Sequence, residues 1–263
     1  MSSSPGPVKT ALVTGASGGI GYEFGRLLAQ QGYNLVLVAR SADRLAKIAL
    51  ELAAAYPIRT EVISLDLSQS EAASQLFAEV ERRTLTVDLL VNNAGFGDLG
   101  PYANSDWETQ RQMIQLNVTT LAQLTRVFLA GMVQRKSGKI LNVGSTGSFT
   151  PVPYMAVYAA TKAFVLSFSE ALSAELQGTG VTVTALCPGV TKTNFFQRSK
   201  SENMLLKKLN EMEARDVARI GYRALMKGKP RVVSGWFNKI MIASTRLAPR
   251  DAVLWMSKRL MQP

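Results

Sequence analysis

Apolar positions between residues 10 and 186 follow two alternating rhythms. Six short runs, Thr10–Thr14, Asn34–Val38, Glu61–Leu65, Val87–Val91, Lys139–Val143 and Val181–Leu186, are rich in branched side chains and read as strands. Several are almost wholly apolar, as expected when both faces of a sheet are covered. Between them, Gly19–Gln31, Ser41–Tyr56, Ser68–Arg82, Asp106–Gln134 and Tyr154–Gln177 space their apolar residues as helices do, with a break expected inside Asp106–Gln134. This alternation predicts an α/β fold with a doubly wound parallel sheet, right-handed crossovers and helices on both faces.

After Pro188-Gly189 the rhythm changes. Thr191–Asn210 is polar and reads as a loop with a helix over the site. Ala214–Met226 reads as a helix, Pro230–Val233 as a last strand, and Trp236–Met261 as helical sequence broken at Pro249. With no internal repeat or linker, the expected organisation is one domain over residues 1–263. Within it, residues 1–7 form a flexible leader, 190–228 a substrate lid and 229–263 a basic, apolar extension.

Composition narrows the chemistry. The 263 residues are 47% apolar and 19% charged, enough for a sizeable core. Histidine is absent, which excludes a Ser-His-Asp triad and histidine metal sites and leaves proton transfer to Tyr, Lys, Asp, Glu, Cys or water. Gly15-Ala16-Ser17-Gly18-Gly19 spells a hydrolase nucleophile elbow, but Ser17 has no histidine to activate it. A single cysteine, Cys187, excludes an internal disulfide and any CxxC motif, and no metal is expected. The N-terminus has no signal-like apolar run, so the sequence reads as cytoplasmic. Residues 1–189 are neutral, with 14 basic and 14 acidic side chains, whereas residues 190–263 carry 16 basic and 5 acidic ones and hold the whole net charge of +11.

The turn Thr14-Gly15-Ala16-Ser17-Gly18-Gly19-Ile20-Gly21 joins the first strand to the first helix. Glycines there allow tight curvature and close backbone approach, and a helix N-terminus offers free N–H groups to a pyrophosphate, so the turn points to a Rossmann-type dinucleotide site. A free ribose 2′-hydroxyl is usually met by an acidic residue about 20 positions on. Here the second strand ends in Arg40 and Ser41, with no carboxylate. A guanidinium beside a hydroxyl suits a 2′-phosphate, favouring NADP(H) over NAD(H); the alternative is that Arg40 only begins a solvated helix.

Tyr158 and Lys162 stand four apart on one helix face. A phenol titrates near 10, and a neighbouring ammonium would favour the phenolate and lower that value. Ser145 follows the fifth strand, Asn92-Asn93-Ala94-Gly95 the fourth, and Asn117 lies in the next helical segment. Each alone has an ordinary structural explanation; together they gather at the edge of the sheet where ligands bind.

These residues resemble the short-chain dehydrogenase/reductase family over roughly residues 8–195: Thr14–Gly21, Asp66-Leu67, Asn92–Gly95, Asn117, Ser145, Tyr158–Lys162, and Pro188-Gly189 with Thr193. Ser145 precedes Tyr158 by 13 residues, the spacing common in that family. The resemblance implies that Tyr158 is the acid in reduction and the base in oxidation, that Ser145 orients the carbonyl, that Lys162 lowers the phenol pKa and binds ribose, and that Asn117 holds a water relay. It further implies a cofactor site formed by Gly15, Ser17, Gly18, Gly19, Ile20, Gly21, Arg40, Ser41, Asp66 and Leu67, with Asn92 and its neighbours Asn93, Ala94 and Gly95 on the adenosine side. Pro188, Gly189, Val190, Thr191 and Thr193 belong to its nicotinamide end. The sequence after residue 229 departs from the family's acyl-carrier-protein reductases and is more similar to an NADP-preferring bacterial-type branch. The implied activity is reversible reduction of an apolar ketone or aldehyde, in a homodimer or tetramer. The rival is a cofactor-binding regulatory protein without turnover.

The C-terminal residues Trp236, Phe237, Ile240, Met241, Leu247, Val253, Leu254, Trp255, Leu260 and Met261 suggest an apolar surface ringed by Lys239, Arg246, Arg250, Lys258 and Arg259. It reads first as a cap over the pocket or a dimer face, then as peripheral contact with an anionic membrane; no nucleic acid is expected.

Overall fold

The computed structural model describes residues 8–193, 211–245 and 247–261. Seven strands form one parallel sheet: β1 (Thr10–Thr14), β2 (Asn34–Ala39), β3 (Thr60–Ser64), β4 (Leu89–Asn92), β5 (Gly138–Val143), β6 (Val181–Cys187) and, after a separate two-stranded pair β7 (Thr191–Lys192) and β8 (Met212–Glu213), the edge strand β9 (Arg231–Val233). Their order is β3-β2-β1-β4-β5-β6-β9, the doubly wound arrangement expected from the alternating rhythm. The order reverses between β1 and β4, the place where such sheets open a crevice at the carboxyl ends of their strands.

Strand alternation divides the core between two helical layers. Ala11, Val13, Leu35 and Leu37 face one side with Phe24 and Leu28 of α1 (Gly19–Gln30) and Leu45 and Leu52 of α2 (Ala42–Ala55). Leu12, Val36 and Val38 face the other with Leu76 and Val80 of α3 (Ala72–Arg82). The long helical run expected from Asp106 is indeed broken: α4 (Trp107–Ile114) passes through a π-helical turn, Gln115–Thr120, into α5 (Leu121–Gln134). That run, Trp107–Gln134, is also the one stretch among the described residues long and apolar enough to cross a membrane; here Leu124, Phe128 and Met132 of α5 pack on the sheet. Helix α6 (Ala156–Glu175) lies beside β6.

The expected lid over 190–228 requires correction. Residues 214–226 form α7 (Ala214–Met226), whose Val217, Ala218 and Leu225 are buried in the core beside α1. That helix is part of the sheet's covering layer, because its apolar residues recur on one strongly amphipathic face. Residues 194–210 of the expected lid lie outside the described residues. The C-terminal sequence forms α8 (Trp236–Thr245) and α9 (Arg250–Met261), separated at Pro249 as expected.

Candidate active site

At the carboxyl edge of β1 the backbone turns sharply into α1. Gly15 has φ of +66° and Gly19 +55°, conformations open to glycine at little cost. Gly21 faces inward: a Cβ there would lie 2.3 Å from the Gly15 carbonyl oxygen. Outward, a Cβ on Gly18 would meet nothing within 4 Å, while one on Gly19 would stand 2.9 Å from Thr193 Cγ2, so the turn is open at Gly18 and walled by Thr193 at Gly19. This cradle fits the pyrophosphate of a dinucleotide. Asn93 locks it from the β4 side, its amide donating to the Thr14 carbonyl at 2.9 Å, while Thr14 Oγ1 accepts from the Asn93 and Ala94 N–H groups.

The cradle opens into a cleft of about 360 Å³. Its walls include Gly15, Ser17, Gly18, Gly19 and Ile20 from the turn, Asn93, Ala94 and Gly95 after β4, and Pro188, Gly189, Val190, Thr191 and Thr193 after β6. Ser145, Tyr158 and Lys162 line the same space. All but a few of the sequence-derived site residues are thus brought together. The exceptions are informative. Arg40 and Ser41 are exposed at the end of β2, beyond the cleft wall, whereas Arg44, one turn into α2, lines it. Asp66 accepts from the Ser68 N–H at 3.0 Å and hydroxyl at 2.8 Å. Burial would raise its pKa, but those bonds and the Arg40 charge outweigh it and hold the carboxyl below its ordinary value. Leu67 is buried in the core and does not reach the cleft. Asn92 likewise turns away from the expected adenosine side. Its amide donates to Thr125 of α5 and to Asn142 of β5, since a strand's alternating residues cannot all face one way.

Asn117 is fully buried on the π-helical turn. Its side chain donates to the Phe96 carbonyl at 2.9 Å and to Thr161 at 3.1 Å, and accepts from the Phe96 N–H at 3.2 Å. Gly95 must be small here, because a Cβ would stand 2.9 Å from Asn117 Oδ1 and 3.4 Å from Lys162 Nζ. Ser145 caps a single 3-10 turn, accepting from the Gly147 N–H at 3.0 Å. Ser148 fixes that turn to α6: it accepts from the Ser145 N–H at 3.1 Å and donates to the Lys162 carbonyl at 2.7 Å.

The Tyr158 and Lys162 side chains lie together, the ammonium 5.8 Å from the ring centroid. Tyr158 is hydrogen-bonded to Ser145. Lys162 is only 4% exposed and donates to the Val143 carbonyl at 2.8 Å. The expected lowering of the phenol pKa is absent in the chain alone. Burial pushes Tyr158 up to about 12, against the Ser145 bond, and burial pushes Lys162 down to about 8. Desolvation penalises each charged form, and it is the largest influence on both groups. Cys187 below them is buried and pushed up to about 12 for the same reason, so it takes no part as a thiolate.

The far wall of the cleft comes from the C-terminal helices. Phe237, Met241, Ile242 and Thr245 of α8 and Val253, Met256, Leu260 and Met261 of α9 line it. Asn238 is buried against Gly189, where a Cβ would come within 2.3 Å of its amide nitrogen, and donates to the Ser234 carbonyl at 2.7 Å. Met261 packs with Leu99, Met155 and the Tyr158 ring. The expected cap over the pocket is therefore present. Sequence alone grouped Met241, Val253, Leu260 and Met261 in one apolar face without distinguishing which of its residues turn inward. Which face of a helix turns inward depends on what it packs against, and no catalytic motif marked these residues.

The family model for short chain dehydrogenases matches residues 9–204. The Very-long-chain 3-oxoacyl-CoA reductase of Mycosarcoma maydis is 31% identical over 249 residues, covering 93% of this chain and 71% of the relative. Very-long-chain 3-oxoacyl-CoA reductase-A of Danio rerio is 32% identical over 270 residues, covering 98% and 79%. A solved short-chain dehydrogenase from Sphingobium yanoikuyae in complex with NADPH superposes with a TM-score of 0.81 at 29% identity, covering 91% of this chain and 95% of that one.

Proposed function

This chain belongs to the short-chain dehydrogenase family and is an oxidoreductase acting on CH–OH donors; from that premise we propose that it is an NADPH-dependent reductase of a ketone carried on a long apolar chain, with 3-oxoacyl thioesters as its substrate class. The observation that carries this reading is the set of apolar side chains, Met155, Met261, Leu260, Met256 and Met241, that line the cleft together with Tyr158. Methionines adapt to a flexible chain. The names of the two curated relatives support the thioester class. They refine the broader expectation of an apolar ketone or aldehyde.

When bound, the nicotinamide cofactor supplies the hydride. Ser145 donates a hydrogen bond to the carbonyl oxygen and fixes it beside Tyr158. The Tyr158 phenol gives its proton to that oxygen as it gains charge, which a phenol held protonated near neutral pH is ready to do. Lys162 stabilises the phenolate left behind and would hold the ribose of a bound cofactor. The Asn117 side chain, bonded to Phe96 and Thr161, ties the π-helical turn to α6 one residue before Lys162.

A series of 3-oxoacyl thioesters of increasing chain length tests the substrate class through NADPH oxidation. Each buried methylene contributes about 0.8 kcal/mol, so kcat/KM should climb about fourfold per carbon until the wall is filled. A flat profile from short to long chains would remove the reading. Cofactor preference rests on Arg40, Ser41 and Arg44, with Arg44 directly at the cleft and the Asp66 carboxylate beside Arg40 as the nearest counter-charge. Arg40→Ser with Arg44→Ser should raise KM for NADPH about tenfold or more and leave KM for NADH within about twofold, since charge-assisted bonds to a phosphate contribute about 1.5–3 kcal/mol. An unchanged ratio would mean that these arginines do not read the 2′-phosphate.

A further inference from the structure

Large apolar side chains exposed to solvent are unevenly distributed. Trp236, Phe237, Ile240, Leu247, Trp255 and Met256 are all exposed, Leu247 at 91% and Trp236 at 73%, and all fall within α8, α9 and their junction. Exposed cations stand among them: Lys239, Arg250, Lys258 and Arg259, against the single carboxylate Asp251. Arg259 lies over the Trp255 ring at 4.2 Å, so indole and guanidinium are presented together. A patch of this kind on a soluble surface marks an interaction site.

Two of these residues connect the patch to the site. Phe237 and Met256 line the catalytic cleft, yet are 39% and 47% exposed. The exposed apolar face is therefore continuous with the cleft lining at Phe237 and Met256. A mouth there would expose the tail of an apolar substrate to water as it entered, unless the face rests on something apolar.

We propose that α8 and α9 dock on an anionic lipid surface and that long-chain substrate enters the cleft from the bilayer between Phe237 and Met256. This proposal rests on the apolar-substrate reading above. Tryptophans at both helices suit the bilayer interface, and cations beside them suit anionic headgroups, whereas a second copy of the same face would bring like charges together.

The test uses the full chain and two pairs of substitutions outside the cleft, Trp236→Gln with Trp255→Gln and Lys239→Glu with Lys258→Glu. Sedimentation with sucrose-loaded vesicles of phosphatidylcholine, with and without phosphatidylglycerol, should show binding that needs the anionic lipid. The charge-reversed pair should bind about tenfold or more weakly, and the tryptophan pair should lose binding as well. Both variants should reduce a short water-soluble ketone at the wild-type rate but lose turnover of vesicle-borne long-chain substrate. Equal sedimentation of wild type and variants, or none on anionic vesicles, would overturn the proposal. So would a concentration-dependent dimer that the tryptophan pair dissociates, or binding confined to an acidic acyl-carrier protein. Wild-type turnover of the short ketone separates these failures from a failure of the reductase reading, which would abolish turnover of every carbonyl.

Discussion

Replacing Tyr158 with phenylalanine is expected to lower kcat for carbonyl reduction by about 10³-fold, while the dissociation constant for NADPH stays within about threefold of wild type. The substitution removes one oxygen and keeps the ring that packs against Met155 and Met261, so the wall of the cleft should keep its shape. Two things are lost: the hydrogen bond to Ser145 and the proton donor. The first is a net term of about 1 kcal/mol, too small to account for the expected loss of rate. A quenched-fluorescence titration of NADPH and single-turnover reduction, made on the same preparation, separate binding from chemistry. If the variant keeps more than about a tenth of its activity, protonation comes from another group and the assignment of Tyr158 fails. Ser145→Ala should be milder, about 10²-fold, because it costs orientation but leaves the acid in place.

The raised phenol pKa bears on the direction of reaction. With Tyr158 near 12 in the chain alone, the group is protonated throughout the neutral range and set up as an acid. Oxidation of an alcohol needs the phenolate, which burial disfavours, so the buried site favours the phenol, the form that acts as acid in reduction. Proximity of the two side chains did not by itself deliver the lowered pKa expected from their spacing. Spacing along a helix fixes which groups meet; the water removed around them depends on everything packed above, including α8 and α9.

The same distinction runs through the rest of the molecule. The strand and helix runs up to Cys187 were legible because each element's apolar period is local, and Thr10–Thr14 and Ala214–Met226 have the limits their sequences imply. The catalytic cluster was legible because its motif lies at fixed distances from strand ends, which topology carries to one edge. Asn92 escaped because neighbouring residues at a strand end point in opposite directions. Arg44 escaped because it resembles any solvated helix arginine. The long reading of 190–228 as a lid failed at α7 for a physical reason: a helix with one strongly apolar face belongs against a sheet. The substrate wall was the least legible part. It is made of Met, Leu and Val with no polar signature, on helices whose inward face is set only by docking on Leu99, Met155 and Tyr158.

Lys162→Met should move turnover and stability in opposite directions. Burial brings the ammonium pKa from 10.5 to about 8. Each pKa unit corresponds to about 1.4 kcal/mol, so keeping this group charged at pH 7 costs the fold about 3 kcal/mol. The sign follows from proton counts. The unfolded chain holds the proton up to about pH 10.5 and the folded chain only to about pH 8, so between these values unfolding takes up a proton and stability rises with pH. Below about pH 8 the cost is fully present. Methionine fills the same space without charge and forfeits the bond to the Val143 carbonyl, worth about 1 kcal/mol. The variant should therefore be more stable than wild type by about 2 kcal/mol at pH 7, and the advantage should vanish as pH approaches 10.5. Turnover should fall about 10²-fold or more, since the phenolate left by proton transfer loses its counter-cation. In the wild type, reduction should likewise weaken as pH rises through about 8 and the lysine loses its charge. Urea unfolding at pH 7 and pH 10, beside initial rates at both, checks all of this. A variant less stable than wild type at pH 7 would show that the buried ammonium is held favourably by the fold alone, and the opposition between site and stability argued here would be gone.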